Sequence, residues 1–184
     1  MSLKHSLLVM LSAAPATGYE LSQQFKGGIG FFWNASHQQV YQQLAQMAKD
    51  GWVQYETQSQ TDKPDRKIYA ITNKGREALS RWLSTPVAPS KSKDALLIKL
   101  FAGETLVSVA VLQEELRRHR AIHQKNLDKL LVIEQEYRSK SAAEQRALQL
   151  PYLTLRRGIT GETAWIAWAD EALAALSEQK NESP

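Results

Sequence analysis

The chain has 184 residues, 43% of them hydrophobic and 23% charged, which is enough for one or two small domains with cores of their own. It contains no cysteine, and this excludes disulfide scaffolds and thiolate metal sites. No apolar run approaches the ~18 residues of a membrane span, and the short apolar run at the amino end is not typical of a signal peptide, so we expect a cytoplasmic protein. The net charge of +4 is compatible with a polyanionic partner.

Two helices are predicted at the amino end. Residues 4–12 form an apolar helical run, which Pro15 breaks because proline cannot continue a helix. Thr17 is followed three residues later by Glu20, the spacing of a capping box, so a second helix should start there. We expect it to stop at Gly27-Gly28.

A third predicted helix carries many amides and no carboxylate. Ser36 and Gln39 have the spacing of a capping box, and Asp50-Gly51 is expected to end the helix. Five glutamines fall within residues 36–49, and no acidic residue lies between Glu20 and Asp50. A solvated helical surface normally mixes both signs of charge, so this gap distinguishes the third helix.

At 100° per residue, the third helix has an apolar stripe and an opposite polar face. The predicted core stripe is Val40, Leu44 and Met47. The opposite side holds Gln38, Gln42, Ala45 and Lys49, with Gln39 and Gln46 flanking it on one side and Tyr41 on the other. A glutamine amide complements the N6/N7 edge of adenine, and a face without acid does not repel phosphates. A plain solvent face is the alternative, since glutamine is a good helix former.

Two segments that alternate with a period of two predict a β-hairpin. They read WVQYETQ at residues 52–58 and KIYAIT at residues 67–72, and a polar tip joins them. Lys63, Arg66 and Lys67 lie close together around this tip, which favours contact with a phosphate backbone. An ordinary solvated loop is the alternative, because two aspartates dilute the charge.

The order of helix, helix, helix, strand, strand and helix within residues 1–85 predicts a winged helix-turn-helix domain that binds DNA. Residues 86–92 are typical of a linker, residues 93–179 predict an α-helical, coiled-coil-like dimerisation domain, and residues 180–184 a tail. The fold class is therefore α+β and mostly helical. In the second domain we expect a short apolar helix at 94–101, a long helix over 105–138 and a capping box at Ser141 and Glu144. The last helix is expected to be interrupted or kinked around Gly158 and Gly161 and to end near Glu178.

The last predicted helix carries an apolar seam with heptad spacing, which favours burial between two subunits. Its members are Leu155, Ile159, Glu162, Ile166, Ala169, Leu173 and Leu176. Packing within one chain is the alternative. Glu162 is the charged position of the seam, and we expect it to meet an arginine, Arg156 or Arg157, of either chain.

Three motifs, TGYEL, SHQQVYQQL and PDRKIYAITNKGREAL, resemble the PadR-type winged-helix transcriptional regulators. ATGYE, IGFFW, ASHQQVY, KPDRK and TLRRG…AWIAWADE are most similar to the AphA-like branch. The wider pattern often has a proline after the tyrosine of the third helix, where this chain has Gln42. The resemblance implies a homodimeric cytoplasmic regulator that in some cases works with a second regulator of the LysR type.

The residues predicted to contact DNA come from the third helix and the hairpin, with two further positions on the flanking helices. They are Ser36, His37, Gln38, Gln39, Tyr41, Gln42, Lys49, Lys63, Arg66 and Lys67, together with Tyr19 and Lys4. The competing hypothesis is a winged-helix module that binds another protein and not DNA.

Other functions have weaker signals. His119 and His123 have the spacing of metal ligands, but the nearby arginines disfavour a cation, and we expect no metal. Trp165 and Trp168 either pack the helical domain or lie beside a small aromatic effector. We expect neither a cofactor nor enzymatic activity, since no phosphate loop, Ser-His-Asp set or framed carboxylate pair occurs.

Overall fold

The computed structural model describes residues 3–25, 35–59, 65–89, 94–103 and 108–182, with side chains described up to residue 178. The chain divides into two compact units, Met1–Ser90 and Lys91–Pro184. The elements of the first unit are α1 (Leu3–Ala13), β1 (Ala16–Thr17), α2 (Gly18–Gln24), α3 (His37–Lys49), β2 (Val53–Gln58), β3 (Arg66–Ile71) and α4 (Asn73–Leu83).

Capping boxes start α2 and α3 where the sequence predicts them. The backbone N–H of Thr17 donates to the Glu20 carboxylate at 2.7 Å, and that of Glu20 donates back to the Thr17 hydroxyl at 3.2 Å. Ser36 and Gln39 make the same reciprocal pair at 2.9 and 3.2 Å. The α2 helix ends at Gln24, and its predicted stop at residues 27 and 28 lies outside the described part of the chain.

The predicted hairpin is present and belongs to a three-stranded sheet of order β1-β3-β2. In the antiparallel pair of β2 and β3, Tyr55 lies opposite Tyr69. The strand β1 pairs with the other edge of β3, with Ala16 opposite Tyr69. This strand was not predicted, because two residues are too short to show a period.

The core of the first unit lies where α1, α2, α3 and α4 pack against the sheet. Val40, Leu44 and Met47 are each 0% exposed, which confirms the predicted stripe of α3. The cluster they join consists of Leu7, Leu8, Met10, Leu11, Leu21, Phe25, Val40, Leu44, Met47, Val53, Tyr69, Ile71 and Leu79. The stripe anchors α3 and leaves its opposite face to the outside.

The second unit consists of α5 (Ala95–Ala102), α6 (Val109–Arg138), α7 (Ala142–Ala147) and α8 (Gln149–Glu182). The capping box of Ser141 and Glu144 is present at the start of α7. The predicted interruption of the last helix is wrong, since α8 runs through Gly158 and Gly161, and so is its predicted end, since α8 reaches Glu182. A kink at the two glycines stays a prediction. A glycine costs a helix only about 1 kcal/mol, and burial against α6 offsets this, since Gly158 packs on Leu130.

The centre of the α8 seam is buried within the chain. Ile159, Ile166 and Ala169 are buried, and α8 packs along α6, whose Leu112 and Leu116 are also buried. The remaining seam positions, Leu155, Glu162, Leu173 and Leu176, are half-buried. Packing within one chain therefore accounts for the burial of the centre of the seam.

No helix in the described part of the chain is both long enough and apolar enough to cross a membrane.

Candidate nucleic-acid interface

The outward face of α3 presents two glutamines that nothing in the described structure engages. Gln38 and Gln42 are exposed, and among the described residues neither amide has a hydrogen-bond partner. Gln39 is different, because its side-chain oxygen accepts the Ser36 N–H of the capping box. The Gln46 amide donates to Asp50 at 2.9 Å. The helix thus holds Gln39 and Gln46 in local bonds, while Gln38 and Gln42 on its outward face are available to a ligand.

An aromatic pair lies at the amino end of α3. The rings of His37 and Tyr41 are 4.4 Å apart and inclined at 33°. Tyr41 also lies against Gly18, the first residue of α2, so closely that a Cβ atom there would be 2.8 Å from the Tyr41 Cζ. Tyr41 is 40% exposed, so its ring bridges α2 and α3 and still has a surface open to solvent.

Two of the three cations predicted around the hairpin tip are described, and each has a local partner. The Arg66 guanidinium lies 3.7 Å from the Glu20 carboxylate of α2. The Lys67 ammonium lies 4.3 Å from the centre of the Tyr55 ring. Lys63 lies outside the described residues. The base of the hairpin therefore keeps its cations on the surface and links them to α2 and β2.

Glu20 is the acidic neighbour of this surface, and it is held ionised. Its pKa lies below the ordinary value, first because the Thr17 N–H donates to it, then because the Thr17 hydroxyl does, with Arg66 adding a smaller effect. One carboxylate oxygen serves both Thr17 groups, and the other faces Arg66. Both oxygens of this carboxylate therefore have protein partners, one at the start of α2 and one on the hairpin.

The other predicted contact residues differ in their exposure and in the contacts that they already make. Lys49 and Tyr19 are exposed, Tyr19 to 58%. Lys4 is half-buried, and its ammonium lies 4.5 Å from the centre of the Trp52 ring. Ser36 is exposed, but its hydroxyl already caps α3.

Sequence reasoning did not foresee the partners of the hairpin cations. The contact of Lys67 with Tyr55 had a usable signal, because Lys67 pairs with Thr57 and so lies diagonal to Tyr55 on one face of the hairpin. The pairing of Arg66 with Glu20 had none, since it depends on how α2 packs beside β3.

The histidines of α6 bind protein groups. His123 Nδ1 lies 2.5 Å from Glu162 Oε2, and its ring stacks on Trp165 with centroids 3.8 Å apart. The expectation that Glu162 meets an arginine is therefore wrong within the chain. Arg118 donates to His119 Nε2 at 3.0 Å. Within the described residues, no group of three or more His, Asp or Glu side chains could hold a metal ion.

Arg156 instead joins a network around Glu134, which the sequence did not suggest. The buried Glu134 carboxylate accepts from Tyr152 at 2.9 Å, from Arg156 at 2.9 Å and from Arg138 at 3.2 Å. Its pKa is lowered, most by the hydrogen bond from Tyr152 and then by the two arginines. The network ties α6 to the start of α8.

Trp165 and Trp168 pack edge to face at 5.4 Å, and both are half-buried. This contact and the stacking of His123 give the two indoles packing roles in the α6–α8 pair. Whether an aromatic effector also lies beside them stays a prediction.

The chain matches two family models and several known proteins. Residues 7–81 match the transcriptional regulator PadR-like family, and residues 92–177 match the virulence activator alpha C-terminal family. The probable transcriptional regulator Rv1176c of Mycobacterium tuberculosis is 36% identical, over 98% of this chain and 100% of that protein.

Two solved structures are similar along nearly the whole chain. The virulence activator AphA of Vibrio cholerae has 35% identity and a TM-score of 0.79, over 97% of this chain and 99% of that one. Bacillus subtilis PadR in complex with operator DNA has 25% identity and a TM-score of 0.79, over 95% and 98%. The chain therefore belongs to the PadR-like family of transcriptional regulators.

Proposed function

We propose that the protein regulates transcription by binding specific sequences of double-stranded DNA through α3 and the hairpin. The observation that carries this proposal is the outward face of α3, which has no acid and presents two unengaged amides. The similarity to PadR, which has been solved with operator DNA, supports it. A regulator of this kind acts beside the chromosome, which places it in the cytoplasm.

In the proposed complex, α3 enters the major groove. Once the helix lies in the groove, the side-chain amide of Gln38 or Gln42 can donate to N7 of an adenine and accept from its N6 amino group, because an amide has both a donor and an acceptor. Lys49 lies in the last turn of α3, and we propose that it meets a phosphate. No carboxylate on this face opposes the approach of the backbones.

The hairpin and the amino end of α3 are proposed to hold the backbone. Arg66 and Lys67 are exposed cations, and His37 and Tyr41 form a polar aromatic surface. Such contacts fix the register of a protein on the duplex without reading its sequence. Lys63 is proposed to contact phosphates together with Arg66 and Lys67. The further positions proposed for contact are Ser36, Gln39, Tyr19 and Lys4.

A gel-shift experiment tests this proposal. Genomic fragments are titrated with protein at low and high salt, beside a random duplex of equal length. We expect a few fragments to bind at both salt concentrations, and the random duplex to bind only at low salt. A protein that binds no duplex at low salt contradicts the proposal and favours the rival hypothesis, a winged-helix module for protein partners.

We also propose that the protein acts as a homodimer through its second unit. On α5, Ile98 is 71% exposed and Phe101 is 95% exposed, and near the start of α8 Leu150 is 75% exposed. Apolar side chains exposed together on one small unit are typical of an interface. The members of the α8 seam are proposed to support this interface from within, since their centre is buried in the chain. A dimer would present two copies of α3 to a palindromic site.

A LysR-type co-regulator is a further partner that the resemblance implies. Its test is the same gel shift with the second regulator added, in which a supershifted or strengthened complex supports the partnership and an unchanged complex opposes it.

A further inference from the structure

We propose that Gly18 is a positioning residue for DNA binding, because its lack of a side chain seats the Tyr41 ring against the first turn of α2. This inference rests on the proposed function. It assigns to a glycine of the neighbouring helix the placement of the aromatic surface at the amino end of α3.

The backbone of α2 does not itself require a glycine at position 18. Among the described residues the glycines with positive φ are Gly51 and Gly103, so Gly18 has a conformation that any residue adopts. It is the first residue of a helix whose cap is supplied by Thr17. The demand for glycine therefore comes from space.

That space is filled by one side chain. A Cβ atom on Gly18 would lie 2.8, 2.9 and 3.2 Å from three atoms of the Tyr41 ring. Gly18 is buried, whereas Tyr41 is 40% exposed. Because one edge of the ring faces solvent, an added methyl would push the ring outward and leave the backbones of α2 and α3 in place.

The displaced ring would also lose its contact with a second group. Tyr41 packs on His37 at 4.4 Å, and both residues flank Gln38 in the first turns of α3. A ring pushed toward solvent lies where the duplex backbone approaches in the proposed complex. Gly18 thus sets how closely the amino end of α3 can approach DNA, although it need not touch DNA itself.

The variants Gly18→Ala, Tyr41→Ala and the double variant form a cycle that tests this. The probes are a duplex selected from genomic fragments by the wild-type protein and a random duplex of equal length. We expect Gly18→Ala to stay folded, to lose the nuclear Overhauser contact between His37 and Tyr41, and to bind the selected duplex about tenfold more weakly. In the Tyr41→Ala background the same substitution should change affinity by less than about twofold.

Gly158→Ala is the matched control, because it adds the same methyl to a helix of the second unit, 3.2 Å from Leu130. Its effect on DNA affinity should be absent in both backgrounds. The inference is overturned if Gly18→Ala binds like the wild type, keeps the ring contact, or loses as much affinity without Tyr41 as with it.

The same variants distinguish a folding defect from a defect in DNA binding. If Gly18→Ala fails to fold, a folded double variant supports the steric link to Tyr41, and an unfolded double variant overturns it. A wild-type protein that binds no duplex contradicts the proposed function itself. A wild type that binds, with a Gly18→Ala variant that binds equally, overturns this inference alone.

Discussion

The two units of this chain bury their apolar residues in different ways, although both are mainly helical. In the first unit, helices from four positions along the chain and a hairpin contribute to one cluster of buried apolar residues. In the second unit, the buried residues other than Leu96 of α5 belong to α6 and α8, which pack along each other, and large apolar side chains of α5 and α8 are exposed. The outward face of α3 in the first unit presents polar groups, whereas α5 and the start of α8 in the second unit present apolar ones.

This difference supports the different ligands that are proposed for the two surfaces. A polar face without carboxylates suits a polyanion such as DNA. An exposed apolar face suits another apolar protein surface, because burying both surfaces away from water is favourable. The same contrast extends to carboxylates. Among the described carboxyl groups, lowered pKa values occur at Glu20 in the first unit, and at Glu115, Glu134, Glu144 and Asp170 in the second.

The largest effect, on the free energy of unfolding, is expected from a change inside the core of the first unit. Leu44→Ala removes a side chain that is 0% exposed, and it should cost about 2–5 kcal/mol of unfolding free energy and most DNA binding. Urea unfolding followed by circular dichroism measures this. Val9→Ala, at a 40% exposed position of α1, is the control and should cost much less. Equal losses of unfolding free energy in the two variants would contradict the burial of Leu44 in the core of the first unit.

The next effect tests the apolar surface of the second unit. Phe101→Ser combined with Ile98→Ser should weaken a homodimer by about 2 kcal/mol or more while the helices stay folded, because both side chains are exposed in the single chain. Sedimentation measures the dissociation constant. Leu83→Ser, at a 64% exposed apolar position of the first unit, is the control and should leave it unchanged. A wild type that is monomeric at micromolar concentration contradicts the dimer.

Changes in the seam of α8 are poorer probes of assembly. Ile166→Asp would place a carboxylate against α6, since Ile166 is buried within the chain. Monomers formed by such a variant would report unfolding of the second unit as well as loss of an interface.

The third effect tests base reading by α3. Gln42→Ala should cost roughly 1–3 kcal/mol on the selected duplex and little on random DNA, because the amide is exposed and unengaged. Competition gel shifts with both duplexes measure the ratio. Gln135→Ala, at an exposed position of α6, is the control. Equal losses on both duplexes would contradict a direct role in reading bases.

The fourth effect concerns the loss of folding stability at acidic pH. Because the pKa of Glu134 is lowered in the folded chain, its contribution to stability is complete above the ordinary value of 4.5 and is lost as the pH falls below it. We expect Glu134→Gln to be less stable than the wild type at pH 7 and to show a smaller loss between pH 5 and pH 3. Thermal unfolding at several pH values measures this, with the exposed Glu136→Gln as the control. A Glu134→Gln variant with an unchanged acid profile would contradict this role.

The sequence predicts those features that depend on near neighbours. The capping boxes of Thr17 and Ser36 and the stripe of Val40 follow from spacings of three and four residues, and the hairpin follows from a period of two. These signals lie within one element, so they do not require knowledge of what packs beside it.

The features that the sequence does not predict depend on contacts between elements. The strand β1 exists because β3 offers an edge, and α8 continues past Gly158 because Leu130 packs there. The heptad seam correctly indicated buried positions such as Ile166, but the spacing does not reveal whether α6 or a second chain covers them. In the same way, Glu162 has a histidine partner from a helix that is close only in space.

The smallest effect concerns the salt dependence of DNA binding. Lys67→Ala should reduce the slope of log affinity against log salt by about 1 per subunit and weaken selected and random duplexes alike, because a phosphate contact carries no sequence information. Titrations at several salt concentrations measure the slope, and Lys67→Arg should keep it. An unchanged slope would mean that the Lys67 ammonium stays on the Tyr55 ring in the complex. Lys125→Ala, at an exposed position of α6, is the matched control, and an equal change there would show that DNA binding is not confined to the first unit.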